Sequence, residues 1–126
     1  MTSIINQQFE NLKSCYQSAS IVPLADGSFQ VTIPGITLPD GWTKSDTTIK
    51  FIVPIGYPMA RPDCFWADVD LKLTNGGIPL NSNINAIPPG QENYLWFSWH
   101  LETWNPNTDN LLTYINVIKR RLHEPR

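Results

Sequence analysis

The sequence predicts an α+β fold: an N-terminal helix, a four-strand antiparallel meander, an irregular segment and a C-terminal helix. Three observations predict it. Apolar residues recur at helical spacing near both ends of the chain. Between them the period switches to two, and turn residues divide the alternating runs at hairpin intervals. With 126 residues and no internal repeat or linker, residues 1–126 read as one domain, long enough to bury a core of its own.

Ile5, Phe9, Leu12 and Tyr16 fall on one helical face after a Thr/Ser start, which predicts a first helix over about Ser3 to Ser18. Ile21 to Leu24 reads as a short strand, and Ala25-Asp26-Gly27-Ser28 as the turn of a hairpin. Phe29, Val31 and Ile33 then alternate with polar residues until Pro34-Gly35, which is expected to stop the strand. Ile49, Phe51 and Val53 form a third strand ended by Pro54. A fourth runs from Phe65 to Leu73, with Phe65, Ala67, Val69, Leu71 and Leu73 on one side and Asp68, Asp70 and Lys72 on the other. Asn75 to Asn93 is rich in Gly, Pro and Asn and has no period, so it is expected to be an irregular, functional loop. Leu111, Ile115, Ile118 and Leu122 mark the closing helix, with Asn107 or Thr108 as its cap.

The composition narrows the function. A hydrophobic fraction of 41% with five tryptophans belongs to a folded chain. Net charge is −2, and the one basic run, Lys119-Arg120-Arg121, is placed to complement the last turn of a helix rather than a phosphate backbone. Nucleic acid is therefore a poor partner. No apolar run has the length of a membrane span, and MTSIINQQFENL lacks a secretory pattern. Cys15 and Cys64 show no metal-ligand spacing and read as free thiols, so a cytoplasmic protein without a metal is expected. Asp63, Asp68 and Asp70 read as a solvated face.

The densest chemistry lies in LWFSWHLETWNP, Leu95 to Pro106, which holds three of the five tryptophans. Read with period two, Leu95, Phe97, Trp99 and Leu101 form a floor, and Trp96, Ser98, His100 and Glu102 share the open face. A serine becomes a useful nucleophile when a base takes its proton, and histidine is the natural base near neutral pH. Ser98 is thus a candidate acyl carrier, His100 its base and Glu102 an orienting partner. The same Ser-x-His pair can also serve only to bond neighbouring backbone, since parallel side chains two residues apart converge only where the chain bends. Trp96, on the open face, is a candidate binding residue. Cys64 is read as a small buried side chain.

Two stretches carry a resemblance. In GYPMARPDCFW, Tyr57-Pro58 followed by Arg61-Pro62 resembles the Tyr-Pro…Pro turn of ubiquitin-conjugating enzymes. WFSWHLETWNPNTDNLLTYINVIKRRL, with its Ser-x-His, Trp104-Asn105-Pro106 and Leu-rich closing helix, resembles prokaryotic family E of ubiquitin-conjugating-enzyme-like (E2-fold) proteins. The likeness runs from about Leu38 to Leu122. It implies the ubiquitin-conjugating-enzyme-like fold, with Tyr57, Pro58, Trp104 and Pro106 at the binding surface and a ubiquitin-like modifier and an activating-enzyme-like protein as partners. It also implies a bacterial setting linked to antiphage defence. The reaction implied is acyl transfer, with no cofactor in this domain because activation with ATP belongs to the partner.

One departure stands out: no cysteine lies between Cys64 and Trp104, where such enzymes carry their thioester. Ser98 would then hold the modifier as an oxyester. Pro79-Leu80-Asn81 echoes the family's His-Pro-Asn, so Asn81 is the candidate for steadying the oxyanion. Two other readings stay open. A non-catalytic adaptor of the same fold would bind the modifier or its activating enzyme. A small Ser/His hydrolase would need a glycine-rich nucleophile turn, which does not surround Ser98.

Overall fold

The computed structural model describes every residue except Met1, Thr2, His100 and Glu102. Ser3 caps helix α1 (Ile4–Cys15) by accepting the Asn6 amide, and the helix buries Phe9 and Leu12. It ends three residues before the predicted Ser18: the Tyr16 amide closes on Leu12, and Tyr16 itself leaves helical geometry. Strands β1 (Ser20–Pro23) and β2 (Phe29–Thr37) form the expected hairpin, with Gly27 at φ 95° in its turn. β3 (Asp46–Val53) pairs with β2, and β4 (Phe65–Ala67) with β3. Helix α2 (Leu111–Leu122) closes the chain.

The strand count corrects the four-strand expectation. Among the described residues the sheet has six strands in the order β1-β2-β3-β4-β6-β5, every pair antiparallel, with β5 (Ser82–Ile87) and β6 (Glu92–Phe97) as an added hairpin. Much of the segment read as irregular, Asn75 to Asn93, is therefore strand. β5 escaped the pattern because it is an edge: only its last residue, Ile87, is buried, so main-chain pairing holds it in place of an apolar face.

Phe65–Leu73 shows the converse, an alternating run that is strand only at its start. β4 stops at Ala67, and the chain turns, with the Leu71 amide on the Asp68 carbonyl. Period two persists in the sequence because Leu71 tucks into the core from that turn, whereas Val69 is exposed. Asp68 and Asp70 are not merely solvated, since both pair with the Lys44 ammonium at 2.8 and 3.1 Å. Pro34-Gly35 does not stop β2 either. The register shifts between Ile33 and Ile36, a bulge that accommodates a residue without an N–H. At α2 the cap is Asn110, in a reciprocal pair with Thr113, because Asn107 and Thr108 belong to the preceding turn.

One core joins the helices to one face of the sheet. Val31, Ile33, Ile49, Phe51, Val53, Phe65, Ala67, Leu95 and Phe97 meet Phe9 and Leu12 of α1 and Leu111, Tyr114, Ile115 and Ile118 of α2. The opposite face carries a row across the strands, Thr32, Lys50, Trp66 and Trp96, and the Lys50 ammonium sits 4.8 Å from the Tyr94 ring centre. Among the described residues, no helix is long and apolar enough to cross a membrane.

The β5 edge is self-capped. Register places Ser98 opposite Asn81 as a hydrogen-bonded pair, so the amides of Ile84 and Ala86 point away from β6. Each is taken by the side-chain oxygen of the preceding residue, Asn83 at 2.9 Å and Asn85 at 3.0 Å. Free edge amides are templates for strand addition. The double variant Asn83→Val, Asn85→Val is expected to self-associate at concentrations where the parent is monodisperse. Sedimentation of both proteins checks this, and identical profiles would show that the asparagines do not guard the edge.

Candidate active site

Ser98 is the first residue beyond β6, half-buried, at the point where the sheet ends. Its neighbours come from the two strands flanking β6. On the β5 side its amide donates to the Asn81 carbonyl at 2.8 Å. On the other side the pairing ends at Phe65 and Phe97, and the Cys64 amide then reaches the Trp99 carbonyl at 3.2 Å, one residue beyond the register, which sets Cys64 across from the Ser98–Trp99 step. Both flanking residues adopt left-handed backbone, Cys64 at φ 64° and Asn81 at φ 62°. Such geometry is common for asparagine but costly for cysteine, and it concentrates where a site constrains the chain. The sheet thus brings Asn81 to Ser98 across 17 residues of sequence, while Trp96 lies one alternation back on the same face.

His100 and Glu102 lie outside the described residues, so the proposed base and its orienting partner have no structural account.

Cys64 is a neighbour that sequence reasoning did not find. Nothing in the spacing of Cys64 and Ser98 marks them as adjacent; only the β4–β6 pairing does. Burial, and then the Asp63 carboxylate, push its thiol up, while bonds from the Trp99 amide and the Trp96 indole to the sulfur pull it back less. Its carbonyl accepts the Tyr114 hydroxyl at 2.6 Å, and burial first, then Cys64 and Asp63, push that phenol up as well. A thiol held protonated is a poor nucleophile. Cys64 should therefore be alkylated by iodoacetamide more slowly than exposed Cys15, and its reactivity should rise only at pH values above the ordinary thiol range. Mass spectrometry of the two cysteine peptides across a pH series checks this; Cys64 reacting first at neutral pH would contradict it.

Tyr57, Pro58 and Trp104 form a second cluster. The Trp104 indole donates to the Pro58 carbonyl at 2.7 Å, and the Tyr57 and Trp104 ring centres are 5.9 Å apart. The Tyr57 hydroxyl donates to Gln8 Oε1, which also accepts the Leu111 amide at 3.2 Å, so the turn is tied to both helices. Burial, and then the Asp109 charge, push this phenol up. Pro106 lies in a turn closed by Asp109, whose carboxylate accepts the Asn105 amide at 2.7 Å. These residues bond to one another and to the helices.

Arg121 is the largest correction at the site. The basic run does lie in the last turn of α2, as expected, but Arg121 within it is also 1% exposed. Nη1 donates to the Glu124 carbonyl at 2.8 Å, and Nη2 to the carbonyls of Leu80 and Arg126 at 2.9 Å each. The guanidinium lies 5.2 Å from the Phe97 ring centre and 5.4 Å from that of Trp99. It borders an open cleft of about 440 Å³ lined also by Leu101, Thr103, Val117 and Arg120. A signal was present: Tyr114, Ile118 and Arg121 share a helical face, so the residue falls on the apolar stripe.

Comparison with known families yields a match to the description prokaryotic E2 family E, over residues 7–125. No curated protein and no solved structure matches the chain.

Proposed function

The chain belongs to prokaryotic E2 family E, which sets it broadly within ubiquitin-like conjugation, and we propose that it carries a ubiquitin-like modifier as an ester on Ser98. The observation that supports this most is the flanking of Ser98 by two left-handed residues, Cys64 and Asn81, where the sheet ends. The modifier's activated carbonyl would meet the Ser98 hydroxyl at this end of the sheet.

The step balances without a cofactor in this domain. Ser98 Oγ attacks the carbonyl carbon, His100 accepts the hydroxyl proton, and the activating enzyme's leaving group departs and takes that proton. An acceptor amine then attacks the ester, and Ser98 Oγ leaves with a proton. Asn81 serves as the oxyanion donor through the NH2 of its side-chain amide, while its main-chain carbonyl accepts the Ser98 amide and keeps the two residues together. Trp96, Glu102, Trp104, Pro106 and Pro58 contribute to the surface that receives the modifier or its activating enzyme, whereas Tyr57, expected there, is buried in the core and supports the turn from beneath. Residues 1–126 act as one such domain in a bacterial, cytoplasmic pathway of the antiphage-defence kind, with no part for nucleic acid or a membrane.

The test mixes the protein with an activating enzyme, ATP and modifier and examines the adduct. The expected product survives thiol reductant and is released by strong hydroxylamine or base. An adduct lost to reductant would point to a cysteine thioester, and the absence of any adduct, with modifier still bound, would point to an adaptor.

A further inference from the structure

The guanidinium of Arg121 touches two of the segments that meet at Ser98, the end of β6 and the turn before β5. It lies against Phe97 and Trp99, the residues immediately before and after Ser98. It also holds the Leu80 carbonyl, one residue before Asn81, whose carbonyl receives the Ser98 amide. The same group grips the tail at Glu124 and Arg126, and the Leu80 amide returns to the Arg126 carbonyl at 3.0 Å. From the far side the tail is braced by Gly41: a Cβ there would stand 2.5 Å from the Pro125 ring.

Helix packing alone does not call for a cation here. An apolar residue of similar size would hold α2 as well, since desolvating a charge works against stability. What an arginine supplies is a planar fork of donors able to fix several carbonyls in one geometry. All three of the acceptors named are main-chain carbonyls, on two segments that must stay in register.

We propose that Arg121 is a positioning residue that, with the docked tail, holds the Asn81 turn and Ser98 in the geometry acyl transfer needs. This rests on Ser98 being the acyl carrier. Lysine keeps the charge but lacks the fork, so Arg121→Lys separates geometry from charge. Gly41→Ala, strained at φ 112° and also driven against the Pro125 ring, displaces the tail without changing the arginine and, with the control amides unchanged, decides the matter if Arg121→Lys does not fold.

The measurement is amide hydrogen exchange of Ser98, with the Val31 and Phe51 amides as internal controls, joined to single-turnover acylation of Ser98. Losing part of a charge-assisted bond network should speed Ser98 exchange by about tenfold or more, with the two controls unchanged. The acylation rate should fall by a similar factor at an unchanged half-saturating concentration of the charged activating enzyme. Ser98 protection retained in both folded variants would overturn the proposal. So would equal loosening of all three amides, the signature of a purely structural role. If the parent protein forms no adduct, the carrier reading fails, and the exchange result alone then upholds or rejects Arg121 as the group positioning Ser98.

Discussion

Ser98→Ala protein is expected to form no modifier adduct while remaining folded. The substitution deletes one hydroxyl from a half-buried position beyond the last strand, and the bond from its amide to the Asn81 carbonyl remains. Changes of that kind usually alter stability by no more than about 0.5 kcal/mol. Chemically, however, the atom that would form the ester is gone. Ser98→Cys should restore an adduct at the same residue, now sensitive to reductant. His100→Ala should slow acylation by about 10²–10⁴-fold if His100 is the general base, and hardly at all if it is not. Cys64→Ser should leave transfer intact, because the Cys64 thiol is held protonated by burial and Asp63. Gel mobility of the adduct, with and without reductant, reads all four variants. Normal transfer by Ser98→Ala protein would reject the ester mechanism in favour of an adaptor, and failure of Cys64→Ser alone would reinstate thioester chemistry.

The second large effect concerns stability. Phe51 is fully buried in β3, with its ring 5.2 Å from that of Tyr114 in an edge-on arrangement. Truncating a core phenylalanine to alanine costs about 3–5 kcal/mol, and total stabilities are only about 5–15. Phe51→Ala should therefore lower the melting temperature by on the order of 10–20 °C. The loss should also reach the candidate site, because Tyr114 donates to the Cys64 carbonyl beside Ser98. Lys119→Ala is the contrast. Its ammonium lies 5.8 Å from the Tyr16 ring centre near the surface, a contact worth less than about 1 kcal/mol. Calorimetry showing equal shifts for the two variants would mean that Phe51 and Tyr114 are not a structural keystone of the core.

Much of this molecule was legible in the order of its residues. Both helices and the strands through Phe51 and Phe97 bury one face against a single core, and a buried face writes its period into the sequence. The alternation from Leu95 to Phe97 likewise separated the residues facing the core from those facing out, so the open position of Trp96 could be read in advance. Tertiary structure decided the rest, wherever main-chain pairing or distant neighbours did the selecting. β5 has apolar residues but no buried face to give them meaning, Ile84 being exposed, because it is an edge held by hydrogen bonds to β6. Asn81 meets Ser98, and Cys64 meets Trp99, only because strands remote in sequence pair side by side, and that pairing is a property of the assembled sheet. Arg121 is buried because the carbonyls of Leu80, Glu124 and Arg126 converge on it, and no stretch of its own helix reveals where those carbonyls will be.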